Sequence, residues 1–492
     1  MFNRSVLIGA GVLCALSHAA LGQVNQWDSG GVGGLWSDVA PWTLGHAPLA
    51  GETAYIGDGS VVELNGIVTP QLSGVHTGPG FGTVGGLKIM SGTLNTGNCL
   101  IAAINEGSLQ LGGTGAINCT SAFGIAVNNG TAVGTAIMSG GSITAPVFYI
   151  ANSGIGSLEM TDGLIDASTT LIMANNPNTD ATFAMSGGLI NSGNFNYANS
   201  GTGSFTLSGG EINTGIFYGG NNATGTATVL IQGGALNAST FRNSGLGKVS
   251  TRQTDGVVTV GTLSLALGNG IGYYSLLGGE LEAYTINRGT TATYAFNMSG
   301  GRLNNTFFGE WSKNMDLKPT GGTIVPGGDF NSSMFLRGDL ALGTAATIEF
   351  TLPGDKIVMQ DTGTVELNGL LSVILTSAPP ISLEYLLIDN DDADPVIGSF
   401  AGLPEGATLP LAFGGSPYPM TLSYVGGDGN DVVLIYNDCP IDFTNDGVLD
   451  NGDIGAFVTL FLSGDMSADV NNDGVLDNGD INAFVAAFLA GC

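Results

Sequence analysis

Two nearly identical acidic segments near the C-terminus carry the side chains with the clearest capacity to bind a ligand. They read DFTNDGVLDNGD from Asp442 and DVNNDGVLDNGD from Asp469, and neither contains Lys or Arg. Side-chain oxygen atoms recur at segment positions 1, 3, 5, 9 and 12, with a glycine at position 6, where the chain can turn sharply. This spacing predicts two loops that fold their oxygen atoms around a hard cation.

The order of oxygen atoms matches calcium-binding loops of the EF-hand type, in which position 7 contributes a main-chain carbonyl. A merely acidic, solvated tail would not repeat the glycine and the carboxylates at the same positions. We therefore predict two Ca²⁺ sites. The first consists of Asp442, Thr444, Asp446, Asp450, Asp453 and the carbonyl of Val448. The second consists of Asp469, Asn471, Asp473, Asp477, Asp480 and the carbonyl of Val475.

Each loop runs into an apolar segment, which predicts one helix from Ile454 to Leu462 and another from Ile481 to Leu489. Two such loops, each followed by one helix, resemble a type I dockerin module, and the terminal Gly-Cys is similar to the GC-type variant. The resemblance implies calcium-dependent docking to a cohesin-like or other cell-surface anchoring protein. Loop positions 10 and 11 are Asn-Gly rather than Ser-Thr, and the helices lack the Lys-Arg pair of cohesin-recognising dockerins.

The two predicted helices explain why the segment is duplicated. One loop with a short helix cannot bury its own apolar face, whereas two copies can pack together. We expect contacts between two sets of apolar residues. These are Phe457, Leu460 and Phe461 in the first copy and Phe484, Ala487 and Phe488 in the second.

Other candidate sites are weaker. The segment GGDGNDVVL from Gly426 fits the calcium-binding nonapeptide of β-rolls, but a single copy predicts only a turn because that site lies between stacked repeats. Beyond residue 22 the histidines are His46 and His76, too few for a histidine-based catalytic site. The remaining acid and base candidates are Glu280, Glu282, Arg242, Arg252, Arg288 and Arg302. Glu280 and Arg302 hold equivalent repeat positions, which favours an ion pair.

Composition and charge restrict the class of protein. The chain has 11 Lys and Arg residues against 40 Asp and Glu residues, a formal net charge of -29, which disfavours nucleic-acid partners. Arg4 precedes an apolar run from Val6 to Leu16, and small residues follow, so residues 1–22 are predicted to be a signal peptide. No later run is long enough for a transmembrane segment. We expect a secreted protein, located extracellularly or at the cell surface.

Four cysteines lie beyond the signal peptide. In an exported chain an even number favours disulfides. We expect a Cys99–Cys119 bond between neighbouring repeats and a Cys439–Cys492 bond across the ends of the duplicated tail.

A repeat of about 22 residues occupies residues 86–328. The residue before an S-G-G phrase recurs in steps of 21 to 25 residues, at Met138, Met160, Met185, Leu207, Ile231, Gln253, Leu276, Met298 and Pro319. Short alternating runs broken by glycine pairs predict strands and turns rather than helices. Such a period predicts a solenoid with one coil per repeat.

Alignment of the repeats gives two columns that a parallel β-helix would bury. The aliphatic column is Ile143, Ile165, Ile190, Ile212, Leu236, Val258, Leu281, Leu303 and Ile324. Five residues further on stand Phe148, Thr170, Phe195, Phe217, Phe241, Leu263, Ile286 and Phe308. The fold class is therefore predicted to be an all-β parallel β-helix with coils of about 22 residues.

The flanking regions complete the predicted organisation. Trp27, Trp36 and Trp42 indicate an N-terminal cap over residues 23–85, and alternating apolar runs indicate a β-rich closing region over residues 329–437. The dockerin-like calcium-binding module occupies residues 438–492. The entry segment, the S-G-G coils and the closing region together resemble passenger-like β-helix proteins related to autotransporter adhesins.

The predicted function is that of a secreted, non-catalytic β-helix protein that is adhesive or binds polymers. The calcium-dependent module would anchor it to a cell-surface partner, and a polysaccharide is a further candidate partner. The alternative is a β-helix polysaccharide lyase or glycoside hydrolase delivered by the same anchor. A compact group of acids and bases on one exterior face would favour the enzyme.

Overall fold

The computed structural model describes residues 23–80, 82–310, 313–328, 333–380, 384–390, 393–436, 439–444 and 449–490. The predicted signal peptide over residues 1–22 lies outside this part of the chain. The chain divides into two compact units. One extends to Phe183 and includes Ile190–Ser192, and the other consists of Ala184–Leu189 and Gly193–Cys492. Parallel strand ladders dominate both units, which confirms the predicted all-β parallel β-solenoid.

The described residues of the first unit form twelve strands and part of a thirteenth. They are β1 (Val24–Trp27), β2 (Gly34–Leu35), β3 (Thr53–Ile56), β4 (Asp58–Leu64), β5 (Ile67–Val68), β6 (Leu72–Thr77), β7 (Val84–Ile89), β8 (Gly92–Ile101), β9 (Glu106–Leu111), β10 (Ala116–Ile125), β11 (Val133–Ile150) and β12 (Ile155–Met173). Strand β13 (Asp180–Ala198) is divided between the units.

The second unit continues with shorter strands toward its C-terminal end. They are β14 (Thr202–Gly219), β15 (Thr226–Arg242), β16 (Lys248–Ser264), β17 (Ile271–Leu276), β18 (Glu280–Asn287), β19 (Thr293–Phe308), β20 (Gly321–Pro326), β21 (Ser333–Arg337), β22 (Leu340–Leu342), β23 (Ala345–Leu352), β24 (Lys356–Gln360), β25 (Val365–Leu367), β26 (Leu370–Leu375), β27 (Glu384–Asp389), β28 (Ile397–Gly398), β29 (Thr408–Phe413), β30 (Ser416–Gly426) and β31 (Asp431–Ile435).

The predicted aliphatic column forms the interior of each solenoid. In the first unit Ile117 pairs with Ile143, and Ile143 pairs with Ile165. In the second unit Ile212 pairs with Leu236, and the column continues through Val258, Leu281, Leu303 and Ile324. All of these side chains are buried. Full burial of one such side chain contributes about 1.5–3 kcal/mol, so the column is a major source of stability.

The S-G-G phrase allows neighbouring coils to stack closely at a bend. Its second glycine has a positive φ in successive coils, 83° at Gly210 and 73° at Gly234. A Cβ atom on Gly234 would lie 2.6 Å from the carbonyl oxygen of Gly210 in the preceding coil. A larger residue would therefore require both a strained backbone and wider spacing between coils.

The phenylalanine column is also buried, with one correction. Phe217 pairs with Phe241, Phe241 with Leu263, and Leu263 with Ile286. In the first unit, however, Phe148 pairs with Leu171 rather than with the predicted Thr170. The strand register shifts between Ala145 and Val147, so the apolar Leu171 takes the interior position and Thr170 is only half-buried.

The parallel ladder extends on both sides of the predicted repeat region. Strands β1, β3 and β6 already pair in parallel within residues 23–85. There the three tryptophans are buried, and the ring centroids of Trp27 and Trp42 lie 5.1 Å apart. After residue 328, β23 pairs in parallel with β20 and β26 pairs in parallel with β23, and antiparallel pairing begins with β27 and β31. These strands keep the apolar alternation but lack the S-G-G phrase. A prediction based on that phrase therefore makes the parallel ladder shorter than it is.

The predicted Cys99–Cys119 disulfide is wrong for this structure, in which both residues are free and buried thiols. Cys99 occupies the phenylalanine column opposite Phe123, whereas Cys119 is paired with Thr96. Because the two cysteines are about one coil apart, they lie on neighbouring strands. The bulge after Cys119 shifts the register, however, so the two cysteines are not opposite each other. The predicted Cys439–Cys492 bond lies outside the described residues because Cys492 is not among them.

Two short helices follow the last strand. They are α1 (Asn451–Ser463) and α2 (Asn478–Ala490), with a 3₁₀ turn over Met466–Ala468 between them. Both helices begin three residues before the predicted positions. Asp450 caps α1 because its side chain accepts a hydrogen bond from the Gly452 amide, and Asp453 completes a capping box. None of the helices in the described part of the chain is long and apolar enough to cross a membrane.

Candidate functional site

The duplicated segments form a module with its own small apolar core. Ile441, Phe457, Ala468 and Phe484 are buried at its centre. The phenylalanine rings of α1 and α2 stack at its middle, with the centroids of Phe457 and Phe484 4.2 Å apart and an interplanar angle of 2°. Leu460, Phe461, Ala487 and Phe488 pack around this centre. The predicted packing of one copy on the other is confirmed.

The second loop curls back on itself through hydrogen bonds between the predicted ligands. The carboxylate of Asp469 accepts from the Gly474 amide at 2.7 Å, and that of Asp473 accepts from the Val475 amide at 2.9 Å. The side-chain amide of Asn471 donates to the second oxygen of Asp473 at 3.0 Å. Gly474 has a φ of 80°, a conformation that favours glycine. The sharp turn predicted at loop position 6 is present.

The last aspartate of each loop connects the start of the loop to the helix. Asp480 is buried and accepts hydrogen bonds from the amides of Asn471 and Asp477, at 3.2 and 2.9 Å. In the first loop Asp453 is also buried and accepts from the amide of Thr444 at 3.0 Å. Hydrogen bonds from the backbone amides of Thr444 and Asp450 lower the pKa of Asp453 to about 2. The backbone amide of Asp477 likewise lowers the pKa of Asp480, so both carboxylates are held in the charged form.

The first loop is described only in part. Asp446 and Val448 lie outside the described residues. The hydroxyl of Thr444 donates to Asp442 at 3.3 Å and to Asp453 at 3.1 Å. Asp450 serves as the helix cap, with its carboxylate 2.6 Å from the Gly452 nitrogen. The predicted residues at positions 1, 3 and 12 of this loop are thus brought together.

The donor set fits a hard cation such as Ca²⁺. It consists of carboxylate, hydroxyl, amide and carbonyl oxygens, with no thiol or imidazole among the predicted ligands. The ten aspartates between residues 438 and 480 have no Lys or Arg within the module to offset their charge. Within the described part of the chain, however, no three His, Cys, Asp or Glu side chains are arranged closely enough to hold a metal ion. In the described part of the loops, hydrogen bonds bring the oxygens together.

Sequence reasoning missed a second apolar face on each helix. On α1, Ile454, Val458 and Leu462 expose 37%, 45% and 79% of their surface, and Ile481, Val485 and Leu489 on α2 expose 37%, 47% and 81%. Each set is spaced four residues apart and so lies along one side of its helix. We call these two sets the exposed stripes. The sequence does contain a signal for them, because the apolar residues cover more of each helix than a single buried face needs.

The charged candidates on the solenoid form structural contacts. Glu280 and Arg302 are paired on adjacent strands, as predicted, with their side-chain atoms 3.8 Å apart, and Arg302 also binds Glu349 at 2.9 Å. Glu282 accepts from Thr259 at 3.2 Å. Arg242 and Arg288 lie over tyrosine rings, 5.8 and 4.9 Å from the centroids of Tyr218 and Tyr294. Arg252 is exposed on β16.

The two histidines are in separate environments. His46 lies 3.8 Å from Glu52, and His76 stacks on Tyr55 with ring centroids 5.3 Å apart. Burial lowers the pKa of His76 to about 4, so this side chain is neutral near pH 7. The GGDGNDVVL segment forms the turn between antiparallel β30 and β31, which confirms the turn prediction.

Comparison with known proteins finds no matching family model, no similar curated protein and no similar solved structure. The functional argument consequently depends on the geometry of this chain.

Proposed function

We propose that this protein is a secreted, non-catalytic β-helix protein, with coils of about 22 residues, that binds polymers or other surfaces. A dockerin-like module that holds two Ca²⁺ ions anchors it to a cohesin-like or other cell-surface protein. The observation that carries the proposal is the combination of two oxygen-rich loops with two exposed stripes on the helices that follow them.

Calcium dependence follows from the charge and size of the module. Among the described residues its buried centre contains four side chains, and a segment of this size rarely folds on apolar burial alone. Mutual repulsion between the aspartates opposes folding further. The loop carboxylates would close around Ca²⁺, which supplies the missing positive charge, so that metal binding and folding are coupled. Extracellular loops with affinities in the range of about 10⁻⁴–10⁻³ M suit this role.

The exposed stripes indicate where a partner protein binds. Contiguous apolar side chains on a small monomeric module are costly to leave in water and are typical of an interaction surface. The module carries ten aspartates and no Lys or Arg, so a complementary partner surface is apolar where it meets the stripes and basic overall. The stripe of α1 and the stripe of α2 occupy equivalent positions in the two copies.

Solenoid contacts support the non-catalytic part of the proposal. The carboxylates of Glu280 and Glu282 are engaged by neighbouring side chains, as are the guanidinium groups of Arg288 and Arg302. We expect no turnover of pectins, alginate or sulfated glycans by the purified protein. Release of unsaturated or reducing ends, abolished by Glu280→Gln, would instead establish the lyase or hydrolase.

The anchor is tested by measuring how much protein stays on the surface of the producing cells. The Leu462→Asp, Leu489→Asp double variant should be released into the medium, as should the wild type in the presence of a calcium chelator. Leu246→Asp is the matched control because Leu246 is a 51% exposed leucine on the solenoid. Retention of the double variant at the wild-type level would contradict docking through the stripes.

A further inference from the structure

One face of the second unit has a composition unlike the rest of this acidic chain. It is formed by the outward side chains at the start of β14, β15, β16, β17 and β19, which pair in parallel in that order. We call it the hydroxyl face. Its residues are Thr202, Ser204, Thr206, Thr226, Thr228, Leu230, Lys248, Ser250, Arg252, Ile271, Tyr273, Ser275, Thr293, Ala295 and Asn297. All of them are exposed or half-buried. On β14 to β17 the residues between them are buried, and on β19 Tyr294 and Phe296 are half-buried.

The hydroxyl face contains two cations and no acidic residue, although Asp and Glu outnumber Lys and Arg by 40 to 11 in the chain. By contrast, outward positions on the paired strands β9, β11 and β12 of the first unit include Glu106 and Glu159. The neighbours of Lys248 across the ladder are Thr226 and Ile271, and those of Arg252 are Leu230 and Ser275. Both cations thus stand among neutral side chains.

Five of the ten Lys and Arg side chains among the described residues form ion pairs, but the cations of the hydroxyl face do not. Lys88, Arg302, Lys313, Lys318 and Arg337 each lie within 4.0 Å of a carboxylate. Among the described residues, Lys248 and Arg252 have no carboxylate within that distance. The same holds for Arg242 and Arg288, which are held on tyrosine rings beside the corners that lead into β16 and β19. The two cations of the hydroxyl face therefore carry charge that no ion pair neutralises.

The geometry of the face suits an extended ligand. Paired strands lie about 4.8 Å apart, and alternate residues along a strand are about 6.6 Å apart, so the hydroxyls form a regular flat array. Lys248 and Arg252 are four residues apart on one strand, which separates their Cα atoms by about 13 Å. A flat surface binds a small molecule weakly because it contacts only one side of it. A polymer can bind more tightly because it makes many weak contacts along the surface.

We propose that the hydroxyl face binds an acidic polysaccharide whose sugars carry carboxylate or sulfate groups. Lys248 and Arg252 would pair with its anionic groups, the Ser and Thr hydroxyls would hydrogen-bond its sugar hydroxyls, and Tyr273 would pack against a sugar ring. This inference rests on the proposed polymer-binding role of the solenoid and assigns that role a ligand class. A nucleic acid fits less well, because the face offers a single aromatic ring on which bases could stack.

The test measures affinity of the full chain for polygalacturonate, alginate and dextran sulfate, with neutral dextran and single-stranded DNA as comparisons. The Lys248→Gln, Arg252→Gln double variant should lose at least ten-fold in affinity for one or more acidic glycans. The matched control is Lys313→Gln, Lys318→Gln, which removes the same charge from cations that already have acidic partners. The control should bind within two-fold of the wild type.

Three results would overturn the proposal. They are no measurable binding to any acidic glycan, equal losses in the two double variants, and binding to DNA as tight as to the glycans. Each measurement is made with millimolar calcium and again with chelator. Glycan binding through the hydroxyl face should persist in chelator, whereas attachment through the C-terminal module should be lost. A failure of this inference is thereby distinguished from a failure of the calcium-dependent anchor.

Discussion

Single residues show most clearly how the apolar columns stabilise the solenoid. Phe217 is buried, and its ring contacts those of Phe195 and Phe241 with centroids 5.0 and 4.9 Å away. Phe217→Ala should lower the free energy of unfolding by about 3–5 kcal/mol, because it removes apolar contacts and leaves a cavity. Phe217→Asp should prevent folding of the second unit, because an unpaired charge would enter a dry core. Thermal unfolding followed by circular dichroism measures both effects.

The control for the two Phe217 variants is Thr202→Asp, because Thr202 lies on the same strand and its side chain is exposed. We expect its melting temperature to stay within a few degrees of the wild type. A Phe217→Asp protein that melts like the control would mean that the stacking register is wrong.

Asp58 gives the first unit a pH-dependent contribution to stability. Burial opposes its charge, but hydrogen bonds from Ser60, Ser29 and Gly31 outweigh burial and lower the pKa to about 2, against an ordinary value of 3.8. Because the folded-state pKa is the lower one, the contribution is present above about pH 4 and is lost as the pH falls through about 2. Asp58→Asn should lower stability by roughly 1–3 kcal/mol at pH 7.

Tryptophan fluorescence provides the readout for Asp58. The indole nitrogen of Trp27 donates to Ser29, which itself binds Asp58, so unfolding near Asp58 should change the environment of Trp27. The difference in unfolding midpoint between wild type and Asp58→Asn should shrink as the pH falls from 4 to 2. A constant difference over this range would show that ionisation of Asp58 contributes nothing.

At the scale of elements, the sequence predicts strands and their buried residues wherever glycine turns and apolar alternation occur together. The columns through Ile143 and Phe217 were predictable because strand alternation and a fixed repeat leave one register that buries them. Thr170 and Cys119 were placed incorrectly because the strand register shifts at a bulge beside each of them, and a bulge leaves no apolar pattern in the sequence. The exposed stripes were missed because a pattern that is apolar on two sides does not reveal which side packs inside the module.

The buried thiols of β8 and β10 give a prediction at this scale. Burial raises the pKa of Cys119 to about 12, and burial together with the nearby Cys119 raises that of Cys99 as well. Neither residue should react with an alkylating reagent in the folded protein at pH 8. Denaturation should release two reactive thiols per chain from this pair, as determined by mass spectrometry of labelled peptides. A Cys99–Cys119 linked peptide would contradict the register described above.

At the scale of the whole molecule, the parts have different dependence on metal. The solenoid buries long apolar columns and forms its own strand ladder, so its folding should not require calcium. The C-terminal module has a small core, and no basic residue offsets the charge of its aspartates. Its folding should therefore require calcium. The sharp turn at Gly474 was predictable from residue spacing, because loop position 6 favours glycine. The identity of the docking partner was not, because it depends on a surface of another protein.

Calorimetric titration of the full chain with Ca²⁺, beside a chain that lacks residues 437–492, tests the central claim most directly. The full chain should bind about two Ca²⁺ ions with affinity adequate for millimolar calcium, and Asp469→Ala should reduce this to about one. The shortened chain should bind none and keep its β-sheet circular dichroism. Absence of binding by the full chain at millimolar calcium, or equal binding by both chains, would contradict the calcium-dependent module.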